Sequence, residues 1–167
     1  MLLLISDTNV LIDIEDGKLT SPLFKLPYEI AVPDVLFESE LREKHGHLLQ
    51  SRLIIKSLTS EFVQRAEILR TKHPRPSIMD HFALSLAMQE QCPLLTGDKD
   101  LRDAAIKENI EVHGTVWIVG ELLQAKLIDQ MQARNSFDSM KEKGSRLPWG
   151  DVEKLVSSFA VAGGKNE

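Results

Sequence analysis

Residues 2–12 read LLLISDTNVLI, and this stretch decides the fold. Residues 2–5 are all apolar, which is the pattern of a short strand buried on both faces of a parallel sheet. Asp7 follows almost at once, and apolar side chains then recur at helical spacing until Gly17. The chain therefore opens with a buried strand that leads through an acidic residue into an amphipathic helix.

The same alternation of strand and helix continues along most of the chain. Short apolar runs predict further strands at residues 28–32, 53–58, 93–96 and 110–113. Helical patterns lie between and after these strands, beginning at Asp34, Thr59, Ser77 and Asp98, with a last one around Trp117. Alternating strands and helices predict a three-layer α/β/α sandwich with a mostly parallel sheet.

The composition of the chain changes after about residue 128. Residues 130–150 are polar and contain a glycine–serine break, and a short amphipathic segment follows at residues 151–159. We therefore predict an α/β domain over residues 1–128 and a helical appendage over residues 129–167. The appendage is expected to end in a flexible tail that starts at Gly163.

Length, charge and cysteine content narrow the function classes. The 167 residues suit one full domain, and the formal net charge of -5 argues against tight, sequence-independent binding to duplex nucleic acid. Cys92 is the single cysteine, so an intrachain disulfide and paired-cysteine metal sites are excluded. The apolar opening is too short for a signal segment or a membrane span, and we expect a cytoplasmic protein.

Four acidic residues stand at the starts of predicted helices. Asp7, Glu38 and Asp98 each follow a predicted strand, so the carboxyl edge of a parallel sheet receives all three. Asp80 opens the helix that Ser77 caps, and a short loop can bring it to the same edge. Each acid alone can be explained as a helix cap or as a charge that favours the helix dipole. Together they predict a shared acidic site.

Several carboxylates at one edge repel one another unless a cation neutralises them. Oxygen ligands without a histidine or thiol pattern favour a hard cation, so we expect Mg²⁺ or Mn²⁺, as one ion or as a pair. Such a site can activate water and stabilise the charge that develops during phosphodiester hydrolysis.

Four motifs resemble those of PIN-domain ribonucleases in order and spacing. Residues 7–12 (DTNVLI) resemble the opening motif of that family, and residues 35–38 (VLFE) resemble its second acidic motif. Asp80, on a helix rich in alanine and leucine, is similar to the third. Residues 94–101 (LLTGDKDL) resemble the fourth and are the most specific string. The resemblance extends from Asp7 to about residue 128.

The resemblance implies a PIN-like fold and a metal-dependent endoribonuclease that cleaves single-stranded RNA. Small stand-alone members are commonly VapC-like toxins that a cognate antitoxin protein holds inactive, and we also expect a homodimer. By position, the residues that bind Mg²⁺ or Mn²⁺ and activate water are Asp7, Glu38, Asp80 and Asp98. Asn9 and Thr96 are expected to support the site through hydrogen bonds. Asp100 or Asp103 either assists a second ion or is a solvated helix acid.

Three alternatives stay open at this point. Glu40 competes with Glu38 as the second acid, although the spacing from Val35 favours Glu38. Lys99, Arg102 and Arg42 either meet RNA phosphates or are simply solvated. The alternative function is a non-catalytic PIN-like module that binds RNA or a protein, but a scaffold has no need of four mutually repelling carboxylates.

Overall fold

The first strand and helix are joined by Asp7 alone. In the computed structural model, which describes the backbone of residues 1–164 and the side chains of residues 1–159, β1 comprises Leu2–Ser6 and α1 comprises Thr8–Asp16. Asp7 is the N-cap of α1, as its position after the buried strand predicts, and its carboxylate accepts a hydrogen bond from the Val10 amide at 2.9 Å. The turn from strand to helix therefore fixes an acidic side chain at the end of β1.

Five parallel strands form one sheet in the order β3-β2-β1-β4-β5. The remaining strands are β2 (Tyr28–Pro33), β3 (Ile54–Lys56), β4 (Leu94–Leu95) and β5 (Val112–His113). All predicted strands are present, but β3, β4 and β5 are shorter than their apolar runs. Next to β4, the Pro93 carbonyl still accepts from the Ile5 amide at 3.1 Å and the Thr96 amide donates to the His113 carbonyl at 2.8 Å, so hydrogen bonds to the neighbouring strands continue beyond the two paired residues.

The strand order reverses between β1 and β4, which are neighbours in the centre of the sheet. From β1 the chain moves to β2 and β3 on one side, and then crosses to β4 and β5 on the other. Open α/β sheets bind ligands at such a switch point, beyond the carboxyl ends of the strands. Here those ends carry Asp7 after β1 and Thr96 to Asp98 after β4.

Helices cover both faces of the sheet, so the predicted three-layer sandwich is confirmed. In one layer α6 packs on β1, β2 and β4, and α3, α5 and α7 pack against α6. In the other layer α1, α2, α8, α9 and α10 contact one another. The helices are α1 (above), α2 (Thr20–Leu23), α3 (Asp34–Leu36), α4 (Arg42–His45), α5 (Ser60–Lys72), α6 (Ile78–Glu90), α7 (Lys99–Lys107), α8 (Thr115–Gln124), α9 (Gln130–Glu142) and α10 (Trp149–Gly164).

The helix after β2 is not a continuous α-helix. Between α3 and α4 lies a π-helical turn, Phe37–Leu41, in which the Arg42 amide donates to the Phe37 carbonyl. A π turn contains more residues per turn than an α-helix, so it changes the direction in which each following side chain points. The α-helical spacing from Val35, which favours Glu38 in the sequence, therefore does not hold across Glu38 and Glu40.

The two helices of the C-terminal segment share the core of the α/β part. Phe137 and Met140 of α9 and Val156 of α10 belong to the same buried cluster as the strand residues. Gly17 shows how closely α9 approaches the end of α1, because a Cβ atom there would lie 2.5 Å from Met140 Cε and 3.3 Å from Ser136 Cβ. Gly17 has a φ of -80°, so the narrow space beside α9 rather than a left-handed backbone favours a small residue at this helix end.

The predicted tail lies only partly within the described residues. Gly163 and Gly164 form the end of α10, whereas residues 165–167 lie outside the described residues. No helix in the described part of the chain has the length and hydrophobicity needed to cross a membrane.

His81 is a buried polar residue with no visible role in the core, and we expect the substitution His81→Leu to stabilise the protein. The side chain is 0% exposed, and neither ring nitrogen makes a hydrogen bond of good geometry among the described residues. Burial lowers the pKa of His81, although the backbone of His73 lies near enough to raise it against this effect. An unpaired buried polar group costs about 1–3 kcal/mol, so His81→Leu should raise the free energy of unfolding at pH 7.5 by about 1 kcal/mol. Urea denaturation measures this value; a decrease would show that the imidazole makes a stabilising interaction.

Candidate active site

Asp7 lies at the centre of the carboxyl edge of the sheet. Its side chain is 1% exposed, and its backbone amide donates to the Leu95 carbonyl of β4 at 2.9 Å. Burial raises the pKa of Asp7 to about 7, while hydrogen bonds from Thr96 and Val10 lower it and the nearby Asp80 carboxylate raises it further. A carboxylate this deeply buried is costly when ionised, which is a common property of residues at functional sites.

Thr96 connects Asp7 with Asp98. Its hydroxyl donates to Asp7 Oδ2 at 2.5 Å and accepts from the Asp98 amide at 3.1 Å. Because the hydroxyl oxygen accepts from the Asp98 amide, its own proton is directed to Asp7. Thr96 is fully buried. It therefore holds the end of β1 and the start of α7 in a fixed relation.

Asp98 is the N-cap of α7, as its position after the β4 strand predicts. Its Oδ1 atom accepts from the Leu101 amide at 2.8 Å, and the residue is exposed at the surface. The cap keeps the carboxylate at the start of the helix, one residue beyond Gly97 and close to the end of β1. Asp98 is thus both a structural cap and an acid available at the sheet edge.

Asp80 reaches the same edge from α6. It forms the predicted capping box with Ser77, whose amide donates to Asp80 Oδ2 at 3.0 Å and whose hydroxyl accepts from the Asp80 amide at 3.1 Å. Burial raises the pKa of Asp80, its hydrogen bonds with Ser77 lower the pKa, and the charges of Asp98 and Glu40 raise it. The pKa of Asp80 is therefore raised by the charges of neighbouring acids, and the same residue also takes part in the cap of α6.

Glu38 and Glu40 point in different directions from the π turn. Glu38 forms an ion pair with Arg42 at 2.5 Å, its side chain is 56% exposed, and this pair lowers the pKa of Glu38. Glu40 instead accepts from the hydroxyl of Thr8, the residue that follows Asp7, at 2.5 Å. Glu40 therefore contacts the residue next to Asp7 and lies near enough to Asp80 to raise its pKa, whereas Glu38 is paired with Arg42.

Asn9 and Asp98 line an open cleft beside the acids, whereas Asp100 and Asp103 do not. The cleft has a volume of about 600 Å³ and is bounded by one side of α1 from Asn9 to Asp16, by residues 97–99 and by residues 143–146. We call it the appendage cleft. Asp100 lies 3.7 Å from Arg75, and together with Asp103 it lines a separate depression of about 240 Å³. Asp100 and Asp103, which the sequence leaves open as helpers of a second ion, thus line a different depression from Asp98.

Asp13 is a residue of the site that the sequence patterns do not reveal. It is half-buried on α1, accepts from Thr115 Oγ1 at 3.0 Å and from Ser145 Oγ at 2.6 Å, and lies close enough to Asp7 to raise the pKa of that residue. Burial also raises the pKa of Asp13, against the lowering effect of both hydrogen bonds. Its two hydrogen-bond partners are 102 and 132 residues away in the chain, so no local sequence pattern predicts the role of Asp13.

The acids form a group of neighbours rather than a closed ligand set. Among the described residues, no group of three or more histidine, cysteine, aspartate or glutamate side chains is arranged so that it could hold a metal ion as it stands. The donor chemistry nevertheless fits a hard divalent cation, because Asp7, Glu40, Asp80 and Asp98 offer carboxylate oxygens and no competing soft ligands. The raised pKa values of Asp7 and Asp80 show where added positive charge would stabilise the ionised forms.

A family model and two solved structures resemble this chain. A family model described as the PIN domain matches residues 3–160, which include α9 and part of α10. A comparison with curated protein sequences gives no match.

The similarities to the solved structures concern the fold. One is the crystal structure of VapBC2 from Rickettsia felis bound to a DNA fragment from the VapBC2 promoter. Its TM-score is 0.51 and its sequence identity to this chain is 17%, and the match covers 68% of this chain and 98% of that chain. A PilT N-terminus domain protein from the archaeon Sulfolobus solfataricus has a TM-score of 0.49 and 12% identity, over 74% of this chain and 94% of that chain.

Proposed function

This chain belongs to the PIN-domain family, and we propose that it is a metal-dependent endoribonuclease that hydrolyses phosphodiester bonds in single-stranded RNA. The observation that carries this proposal is the buried Asp7 at the β1–β4 switch point, with Asp80 and Asp98 beside it. A buried carboxylate whose pKa is raised to about 7 costs stability when it is ionised, and such groups cluster at functional sites.

We propose that Asp7, Glu40, Asp80 and Asp98 hold Mg²⁺ or Mn²⁺, as one ion or as a pair. The bound ion would lower the pKa of a water molecule and offset the negative charge that develops on the phosphate. Thr96 keeps Asp7 oriented through its hydroxyl, and the N-caps of α1 and α7 keep Asp7 and Asp98 at the sheet edge. Asn9 lines the cleft next to Asp98 and would support the site by hydrogen bonding.

We propose Glu40 as the second acid, in place of the Glu38 that the spacing from Val35 favours. The contact of Glu40 with Thr8 and its charge near Asp80 support it as the second acid. Glu38 is already neutralised by Arg42, and an arginine paired with it would oppose a bound cation. Asp100 and Asp103 are not part of this proposal because both face a different depression.

The direct test of the proposed activity is cleavage of a labelled single-stranded RNA by the purified protein with Mn²⁺. We expect cleavage with Mn²⁺, none with EDTA, and none of a single-stranded DNA of the same sequence. If the RNA is bound but left intact, the alternative of a non-catalytic RNA-binding module replaces the nuclease. If the RNA is neither bound nor cut, both proposals fail.

Metal binding can be tested without an activity assay, through thermal stability. Mn²⁺ at about 100 times its Kd stabilises a protein by about 2.7 kcal/mol, so we expect the Tm to rise by about 5 °C or more. The variant Asp98→Asn should lose most of this rise, because asparagine caps a helix as well as aspartate but is a weaker ligand. Asp129→Asn makes the same change at the N-cap of α9 and should keep the full rise. An equal rise in both variants would remove Asp98 from the metal site.

We further propose that the protein is the toxin of a toxin–antitoxin pair and acts as a homodimer. The resemblance to VapC-like toxins supports this, and so does the likeness of the fold to VapBC2. We expect induced expression of the wild type to stop growth of a bacterial host, and equal expression of Asp7→Asn to leave growth unchanged. Growth arrest by both proteins would mean that the toxicity does not come from the acidic site. The cytoplasmic location expected from the sequence stays a prediction.

A further inference from the structure

Three basic side chains line the appendage cleft next to the acidic group. Lys143 and Arg146 come from the turn between α9 and α10 and Lys99 from the start of α7, and they share the lining with the carboxylates of Asp13, Asp16 and Asp98. All three cations are exposed, and none of them forms an ion pair within the described part of the chain. In a chain with a net charge of -5, this lining contains as many basic as acidic side chains, three of each.

The turn that carries Lys143 and Arg146 is fastened to α1. Gly144 has a φ of +92°, a left-handed backbone that favours glycine and lets the chain reverse direction after α9. Ser145 then donates its hydroxyl to Asp13 Oδ1 at 2.6 Å, while Thr115 donates to the other oxygen of Asp13 at 3.0 Å. The two basic residues are therefore held on either side of an anchored serine rather than on a loose loop.

We propose that the appendage cleft binds the phosphate backbone of single-stranded RNA beside the acidic site, through Lys143 and Arg146 with help from Lys99. This inference rests on the proposed nuclease function and assigns a substrate-binding role to the C-terminal helices. Lysine and arginine contacts to phosphates supply most of the affinity in sequence-independent binding of nucleic acid. Ile12 is the one hydrophobic side chain in the lining, so the cleft lacks the apolar anchors that a protein segment would need.

Asp13 acts in this proposal as a positioning residue. Both of its oxygens accept hydrogen bonds, one from Thr115 of α8 and one from Ser145, so it fixes the turn that bears Lys143 and Arg146. Ser145→Ala removes one of these bonds but keeps all three cations. We expect this variant to weaken RNA binding and raise KM several-fold while leaving kcat within about twofold of the wild type. An unchanged KM would show that the bond between Ser145 and Asp13 does not position the turn.

The main test measures the affinity of a 5′-labelled single-stranded RNA by fluorescence anisotropy at several salt concentrations, in an Asp7→Asn background that does not cut. We expect Lys143→Ala together with Arg146→Ala to raise Kd roughly tenfold, since two phosphate contacts are lost. Each contact to a single strand contributes about 0.7 to the slope of log K against log salt, so the slope should become shallower by about 1.4. Both side chains are exposed, so the variant should fold as its parent does, which its Tm will verify.

The matched control removes two positive charges elsewhere. Lys25 precedes β2 at the opposite edge of the sheet, and Lys154 lies on α10; both are exposed, and neither lines the appendage cleft. Lys25→Ala with Lys154→Ala should change Kd less than twofold. If both double variants weaken RNA binding equally, the effect comes from net charge alone and the proposal is overturned. An unchanged Kd and salt slope for the Lys143 and Arg146 variant would also overturn the proposal.

The cleavage assay distinguishes a failure of the cleft proposal from a failure of the nuclease proposal. If the wild type cuts RNA and the Lys143 and Arg146 variant binds it normally, the nuclease stands and the cleft proposal falls. If the wild type does not cut but the salt slope changes as expected, the cleft binds RNA and the nuclease falls. If the variant loses binding to an acidic partner protein while its RNA affinity is unchanged, the cleft is a protein-docking site and the proposal is overturned.

Discussion

Replacing Asp7 with asparagine is expected to lower kcat for RNA cleavage by about 1000-fold, with little change in KM. Asp7 is the most buried acid of the site and is held by Thr96 and Val10 in one orientation. A metal site contributes several kcal/mol to the stabilisation of transition-state charge, and each 1.36 kcal/mol corresponds to about tenfold in rate. Single-turnover cleavage with saturating Mn²⁺ measures the effect. A loss of less than about tenfold would contradict the central role of Asp7.

The same substitution should stabilise the metal-free protein, most strongly at neutral and alkaline pH. Burial raises the pKa of Asp7 from 3.8 to about 7 in the folded protein, so the folded state favours the protonated carboxyl. The free energy of unfolding is therefore unaffected by ionisation of Asp7 below pH 3.8. It falls as the pH rises from 3.8 to about 7, because the unfolded chain releases the proton first, and the loss is complete above that pH. Asparagine is neutral at every pH, so Asp7→Asn should exceed the wild type in free energy of unfolding by about 2–4 kcal/mol at pH 8.

Urea denaturation in EDTA at pH 4.5 and pH 8 tests this linkage. The advantage of Asp7→Asn should be large at pH 8 and several-fold smaller at pH 4.5, which lies only just above the unfolded-state pKa of 3.8. Asp138→Asn, an exposed residue of α9, makes the same chemical change and should show no such difference between the two pH values. Equal effects of Asp7→Asn at both pH values would show that the ionised carboxylate is not a source of strain in the free protein.

Glu40→Gln is expected to lower kcat by about 100-fold, whereas Glu38→Gln should stay within about twofold of the wild type. The two glutamates lie in one π-helical turn, so the variants are matched in charge, size and location along the chain. Glu40 contacts Thr8 beside Asp7, while Glu38 is paired with Arg42 and directed to solvent. The assay is cleavage of the same RNA at saturating Mn²⁺.

The reverse result would restore Glu38 as the second acid. In that case the ion pair between Glu38 and Arg42 would have to open when the metal binds, and Arg42→Gln should then increase the affinity for Mn²⁺. If both variants lose activity equally, the π turn as a whole rather than one carboxylate is required. A thermal melt of each variant in EDTA shows whether a loss of activity comes from unfolding. Both glutamate side chains are exposed, so neither substitution should change the Tm by more than about 2 °C.

Local chemistry determines much of the fold. The apolar run that ends at Asp7, the string around Asp98 and the capping box of Ser77 and Asp80 each specify a turn through contacts within a few residues. Because parallel strands alternate with helices, their carboxyl ends must share one edge, and the sequence therefore predicts these acids there. The predicted sandwich and the family membership are both confirmed.

Tertiary structure alone decides the rest of the site. Glu38 and Glu40 lie in a π turn, which an α-helical count along the sequence cannot contain, and there Glu40 contacts Thr8 while Glu38 pairs with Arg42. Asp13 meets Ser145 across 132 residues, and that contact brings Lys143 and Arg146 to the acidic edge. Hydrogen bonds within one turn are encoded by neighbouring residues, whereas contacts between distant segments exist only after the core that unites α1, α8 and α9 has packed.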